Sequence, residues 1–263
     1  MKILSIDLAR ESFSYIEDKG LRTKCLGGVA LNSYLLYNNT ERAINPFDEK
    51  NHLFLSCGAL TGTTIPTASR CEVTGISPTG YFGTSNSGGG IGAALKFCGI
   101  DCIWIKGKSR KPLYLVIDEN KVLFKDAHDV WGKDTFETVD VLKMKEGKTT
   151  EVASIGPAGE KGVRFSSIQN GYYHSFGRTG LGAVMGSKNL KAIVIRGDAA
   201  FPLPESKDYQ KVGQPAIVPG DMGTASYVLV GTGGRSWMYT AALMKDFSDV
   251  GELLAFCDVN QQR

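Results

Sequence analysis

The sequence predicts an α+β fold: a largely antiparallel strand-rich domain with a few helices, followed by a short C-terminal tail. Three observations predict it. About nine or ten strand-length segments precede residue 200, against three helical ones. Many of those strands read as hairpins closed by turn residues. The regular alternation of strand and helix that a βαβ wind requires is absent.

Taken in order, KILSIDLA and FSYIED flank Arg10-Glu11-Ser12 as a first hairpin, with Lys19-Gly20 ending its second strand. Residues 28–38 (GVALNSYLLYN) read as a helix with one apolar face. HLFLSCGAL and RCEVTGIS are strand-like. The segment 79–92, TGYFGTSNSGGGIG, reads as a glycine-rich turn running into a helix, AALKFCG, that ends at Gly99. IDCIWIKGK and PLYLVIDENKVLFKDA supply three strands, the last two joined by a turn at Asp118-Glu119-Asn120. A helix at 134–145 opens on Asp134 with Glu137 three residues on, a capping-box pattern. EVASIGPAG, RFSSIQN and KAIVIRG complete the strands, and the loop GRTGLGAVMGSKN precedes the last. FPLPESKD at 201–208 marks a boundary, giving a domain over 1–200 and a partial helical segment over 201–263, with helices expected at 237–245 and 247–257. No internal sequence repeat is visible.

Bulk properties exclude several functions. A formal charge of +3 without a basic run or an aromatic-studded basic face predicts no nucleic-acid partner. No apolar stretch approaches the roughly 18 residues of a membrane span, and the charged start MKILSIDLARES is not a signal peptide. The expected setting is cytoplasmic, with reduced thiols. Glycine is abundant, 32 of 263 residues, and clusters at 83–92 and 177–186, where tight turns or close approach to a ligand favour it.

Two of these clusters could hold an anion. SNSGGGIG opens a helix, a device that aims free N–H groups at negative charge. It lacks the G-x-G-x-x-G dinucleotide pattern, and a purely structural turn is the competing reading. GRTGLGAVMGSKN fails as a nucleoside-triphosphate loop because Lys188 follows Ser187, the reverse of G-K-[ST]. Two such loops about 90 residues apart nevertheless suit an extended ligand with several phosphates. Arg70 is either a surface arginine or a guanidinium that reaches such a phosphate. Cys98 and Cys102 in CGIDC read as buried, inert thiols, and His52 and His128 as solvated loop residues.

GALTGTTIPTASR (58–70), SPTGYFGTSNSGGGIGAALKFCGIDC (77–102), WGKDT (131–135), IGPAGE (155–160) and GRTGLGAVMGSKNLKAI (177–193) together make residues 1–200 similar to the N-terminal domain of the tungsten-containing aldehyde ferredoxin oxidoreductases. The resemblance implies two sheets forming a base for a tungsten (or molybdenum) bis-pyranopterin whose phosphates are bridged by Mg²⁺. It implies that Arg70, Asn86, Ser87, Gly88 and Gly89 line one half of the cofactor site, and His174, Ser175, Gly177, Arg178 and Gly180 the other, with Asn86 and Ser175 on the metal side. The implied reaction is oxidation of an aldehyde to a carboxylate, with electrons leaving to ferredoxin through a [4Fe–4S] cluster. The alternative is a non-catalytic scaffold or pterin-binding assembly module built on the same domain.

This chain departs from the family pattern at His174-Ser175-Phe176, where an arginine and two alanines are usual. A protonated His174 can partly replace the arginine, and Phe176 is expected to crowd the pterin. The cysteine run of a [4Fe–4S] cluster is missing. A partner subunit or self-association is therefore expected to complete the site. Gly223-Thr224-Ala225 resembles the start of the family's second domain.

Overall fold

The structure is a computed structural model that describes residues 1–197, apart from 42 and 64–67, and the backbone of 225–230 and 251–257. The chain divides into two units, Met1–Pro204 and Glu205–Arg263. The first unit consists of two six-stranded sheets.

The first sheet begins with the hairpin β1 (Lys2–Asp7) and β2 (Ser12–Glu17) and continues through helices α1 (Gly20–Cys25) and α2 (Gly28–Asn39). A meander of β3 (Leu53–Cys57), β4 (Cys71–Ile76) and β5 (Phe82–Ser87) follows. Helix α3 (Ile91–Phe97) then leads to β6 (Cys102–Lys106). The second sheet repeats the plan. It has a hairpin of β7 (Leu113–Asp118) and β8 (Lys121–Asp126), then α4 (Thr135–Glu146) and β9 (Glu151–Ser154). After the single turn α5 (Pro157–Glu160) come β10 (Ile168–Asn170), β11 (His174–Phe176), α6 (Leu181–Ser187) and β12 (Leu190–Arg196).

The strand orders are β2-β1-β6-β3-β4-β5 and β8-β7-β12-β9-β10-β11, one the image of the other shifted by six strands. In each sheet one neighbouring pair is parallel, β1 with β6 and β7 with β12, and the rest are antiparallel. The architecture is therefore duplicated although the sequence shows no repeat. Strand order is carried by hydrophobic pattern and turn placement, and both survive with little residue identity.

Strand alternation sorts the side chains into layers. Leu4, Ile6, Leu55 and Ile103 of the first sheet share one core with Leu115, Ile117, Ile193 and Ile195 of the second, with Ile91 and Leu95 of α3 and with Leu181, Val184 and Met185 of α6. Outside it, Leu31, Leu35 and Leu36 of α2 cover Ile3 and Phe54, while Val139 and Leu142 of α4 cover Tyr114, Val116 and Val194. Central strands such as β7 and β12 are buried on both faces, which is why they read as continuous apolar runs.

The glycines of GRTGLGAVMG make this packing possible. A Cβ at Gly180 would stand 1.9 Å from the Arg164 carbonyl oxygen, at Gly182 2.4 Å from that of Ser167, and at Gly186 2.0 Å from that of Gly159. Helix α6 thus rests backbone to backbone on the segment 157–167. What reads as a loop is largely a helix whose glycines face protein. Lys188 is equally structural: fully buried, it donates to the carbonyls of Glu49 at 3.0 Å and Gly107 at 3.1 Å. Burial lowers its pKa to about 8. Buried Lys191 bonds the Lys133 carbonyl at 2.9 Å and the Glu160 carboxylate, which in turn accepts from the Gly132 N–H, so WGKDT and IGPAGE are tied by one ion pair.

Four local expectations are corrected. Residues 20–25 form a helix where the second strand was expected to end, with Asp18 accepting from the N–H groups of Gly20 and Leu21. Phe82–Ser87 is an edge strand paired with β4, because its alternating burial outweighs its glycine and serine content. Within 247–257, Gly251–Cys257 is a strand (β14) parallel to Ala225–Val230 (β13); the helix expected at 237–245 lies outside the described residues. His52 is not solvated: it packs edge-on against Phe54 and Trp104, its buried Nδ1 has no partner, and burial with nearby Lys188 and Lys106 lowers its pKa to about 4. By contrast, Asp134 does cap α4, accepting from the Glu137 N–H at 2.8 Å.

Two outcomes follow for stability. Gly186→Ala forces a methyl into the Gly159 carbonyl and is expected to cost about 1–3 kcal/mol in urea unfolding. Gly177→Ala, whose Cβ would meet nothing nearer than 3.4 Å, should change stability by no more than about 0.5 kcal/mol. A His52 pKa held below its unfolded value makes folding release protons between about pH 6.5 and 4, so stability falls on acidification through that window. A His52→Phe variant should lose less stability than wild type over the same titration.

Candidate cofactor-binding seam between the two sheets

The edge strands β5 and β11 bring the two sheets together, and the residues singled out from the sequence gather along this seam. Arg70 precedes β4 and donates through Nη1 to Asn86 Oδ1 on β5; both side chains are exposed. Glu72, opposite Asn86 in the register, feels the Arg70 charge but does not pair with it. Burial pushes its carboxyl up, while hydrogen bonds from Thr84 and Asn86 pull the other way.

Past β5, the loop Gly88-Gly89-Gly90 turns under residues of the second sheet. A Cβ at Gly88 would meet His174 Cδ2 at 3.2 Å, and one at Gly89 would meet Asn170 Nδ2 at 3.0 Å and His174 Cγ at 3.2 Å. At Gly90 it would overlap the Glu151 carboxyl at 2.3 Å. These glycines therefore admit the side chains of β9, β10 and β11. Burial raises the pKa of Glu151, opposed by the charges of Lys143 and His174.

The second loop meets the first sheet in return. Arg178 N–H donates to Ser85 Oγ at 3.1 Å and Thr179 Oγ1 to the Thr84 carbonyl at 3.4 Å. Thr179 and Gly180 both adopt positive φ, 63° and 66°. Ser175 lies half-buried on β11 beside exposed His174 and Gly177. Phe176 does not crowd the seam. It is fully buried and packs in the core opposite Ile168.

Electrostatically the seam is unbalanced. Arg70, Arg164 and Arg178 are all exposed, and among the described residues none is in an ion pair. The buried cations elsewhere are all neutralised or bonded: Lys96 by Asp101, Lys191 by Glu160, and Lys188 by two carbonyls. Edge strands also leave one side of their backbone outside the sheet's ladder of hydrogen bonds, and β5 and β11 are both edge strands. Among the described residues no cluster of His, Cys, Asp and Glu could hold a metal by side chains.

Cys25, Cys57, Cys71, Cys98 and Cys102 are all buried. Burial pushes the Cys57 thiol up to about 12 and raises Cys71 and Cys102 as well. A wide groove of about 960 Å³ lies at the other end of the β4–β5 hairpin, lined by Tyr34, Tyr37, Thr40, Ile76 and Phe82, and is poor in ionisable groups. No helix among the described residues is long and apolar enough to cross a membrane. Sequence reasoning missed Asn170, Glu151, Ser85 and Thr84, since nothing local shows that β10 and β9 will lie against residues 88–90.

Residues 3–197 match the family model described as aldehyde ferredoxin oxidoreductase, N-terminal domain. The tungsten-containing aldehyde ferredoxin oxidoreductase of Pyrococcus furiosus is 41% identical over 197 residues, covering 74% of this chain and 33% of the relative. The aliphatic sulfonate oxidoreductase, WOR-like subunit, of the same organism is 34% identical over 230 residues, covering 80% and 36%. The chain thus spans about a third of the length of the relatives it matches. Among solved structures, the active site complex BamBC of benzoyl coenzyme A reductase, in complex with 1,5 dienoyl-CoA, superposes with a TM-score of 0.74 at 35% identity, covering 77% of this chain and 31% of that one. The tail has a different likeness. Residues 187–242 match the model for tRNA-splicing ligase RtcB, and proteins of that name are 40% to 53% identical over 89 to 51 residues. Gly223-Thr224-Ala225 falls in that stretch, outside the residues that match the oxidoreductase model. Over residues 3–197 fold and sequence agree, and the chain belongs to the aldehyde ferredoxin oxidoreductase family through its N-terminal domain.

Proposed function

We propose that the β5–β11 seam holds the phosphate-bearing arms of a tungsten (or molybdenum) bis-pyranopterin, in a chain that acts as the cofactor-binding part of an oxidoreductase. The observation that carries this reading is the set of exposed arginines without carboxylate partners, Arg70 on one side and Arg178 on the other. Duplicated sheets that present two equivalent loops, each between an edge strand and a helix, suit a ligand built of two similar halves.

In this reading Arg70, preset by its bond to Asn86, binds one phosphate as a planar fork, and Arg178 binds another. Each such charge-assisted contact is worth about 1.5–3 kcal/mol. His174, standing over Gly88 and Gly89, adds a donor where the family's usual arginine is replaced. Asn86, through its backbone carbonyl, and Ser175 would hold an Mg²⁺ that offsets the phosphate charge. The bound metal and dithiolenes supply the two-electron chemistry, which oxidises an aldehyde to a carboxylate. This chain's residues bind, orient and partly enclose them.

The described cysteines are buried, with raised pKa values where a shift is seen, so a [4Fe–4S] cluster and the route to ferredoxin belong to another polypeptide or another part of one. A relative named as a subunit and a neighbour named as a complex support assembly with a partner. The second reading is a non-catalytic scaffold or pterin-binding assembly module built on the same domain.

Two measurements test this. Protein purified without oxygen should carry tungsten or molybdenum together with pterin fluorescence; pterin without metal supports the assembly module, and neither one sinks the cofactor reading. Arg70→Ala and Arg178→Ala should each lower cofactor retention roughly 10- to 100-fold, while Arg110→Ala, away from the seam, should leave it unchanged. Equal retention in all three would remove the two arginines from the site.

A further inference from the structure

Each of the two seam loops is made from one repeat and held by the other. The loop Gly88–Gly90 belongs to the first repeat, yet the side chains against it come from the second. Asn170 Nδ2 donates to the Gly88 carbonyl at 2.5 Å and lies 3.4 Å from Ser87 Oγ, the Glu151 carboxyl fills the space where a Gly90 side chain would stand, and the His174 ring covers Gly88 and Gly89. The turn 177–180 belongs to the second repeat, yet the Arg178 N–H donates to Ser85 Oγ of the first, while Thr179 Oγ1 donates at 2.7 Å to the Arg178 carbonyl and lies 3.4 Å from that of Thr84. Pro78 Cδ lies 3.3 Å from the Cβ position of Gly180.

Asn170 is the centre of this exchange. Its side chain is buried, at 1% exposure, and its Oδ1 has no partner. A flipped amide would set that oxygen against the Gly88 carbonyl, so the orientation is fixed. A buried amide with one unsatisfied atom is costly, and what it supplies here is the bond that fixes the shape of a loop in the other repeat. Ser85, itself 6% exposed, does the reverse for the second loop.

We propose that the two loops form one binding unit, in which Asn170 and Ser85 are positioning residues and weakening the support of either loop lowers the anion affinity of both. The physical basis is shared preorganisation: strands β5, β10 and β11 must be ordered together before either loop has its shape, so the ordering cost is common to both. This rests on the reading of the seam as a phosphate site and adds that its halves are not independent.

The test uses the full chain, with inorganic phosphate as the probe and the backbone amide resonances of 88–90 and of 177–180 followed separately through one titration. Wild type should saturate at both loops. Asn170→Ala touches only the first loop, yet should weaken phosphate at 177–180 as well as at 88–90, each by roughly 2- to 10-fold. Ser85→Ala should mirror it, and both variants are read well below their thermal midpoints so that unfolding does not contribute. Weakening confined to the loop that each substitution touches overturns the coupling while leaving the phosphate site intact. Absence of saturable shifts in wild type overturns the phosphate reading and the coupling with it. Should Asn170→Ala fail to fold, Ser85→Ala, which removes one hydroxyl, decides alone by the same two outcomes.

Discussion

Backbone has to approach backbone wherever the two sheets and their return helices meet, and the rest of the domain depends on that. At Gly180, Gly182 and Gly186 a single methyl would drive into the carbonyl oxygens of Arg164, Ser167 and Gly159. Interiors are packed too densely to absorb such overlaps. Close contact lets α6 settle beneath β12, keeps α3 and α6 in one core, and brings the β5 and β11 edges together. The seam is a consequence of this packing. Its loops are short because the space around them is already taken by His174, Asn170 and Glu151.

Charge is distributed in two contrasting ways over the same framework. Inside, each buried cation is answered. Lys96 meets Asp101, which also accepts the Lys2 N–H, and Glu146 gathers Tyr114, Lys125 and Arg196. A lone buried charge would cost several kcal/mol, roughly the whole margin of stability of a domain. At the seam, Arg70, Arg164 and Arg178 remain in water without such partners. Solvated arginines cost the fold little, and they keep their full attraction for an incoming dianion.

Much of the fold was legible in the sequence. The apolar runs in KILSID, LYLVID and KVLFKD marked strands, and Asp134 with Glu137 marked the start of α4. What escaped was long-range. Phe82–Ser87 is rich in glycine and serine, and only its pairing with β4 makes it a strand. The glycines of 180–186 suggested room for a ligand, whereas the carbonyls that they accommodate belong to Arg164, Ser167 and Gly159, well upstream in the sequence. The duplication was invisible because it resides in strand order. Of the candidate site, Arg70, Asn86 and Arg178 were singled out through several separated motifs. Asn170 and Ser85 were not, since their partners are 82 and 93 residues away.

The account stands on the claim that the β5–β11 seam, and no other surface of the domain, receives the metal-bearing cofactor. Anomalous diffraction from crystals of protein purified without oxygen, recorded on both sides of the tungsten and molybdenum edges, tests it most directly. The predicted result is one heavy-metal peak over the seam, with phosphorus peaks within reach of the Arg70 and Arg178 guanidiniums. A metal peak elsewhere, such as the groove beside Tyr34 and Phe82, would contradict it.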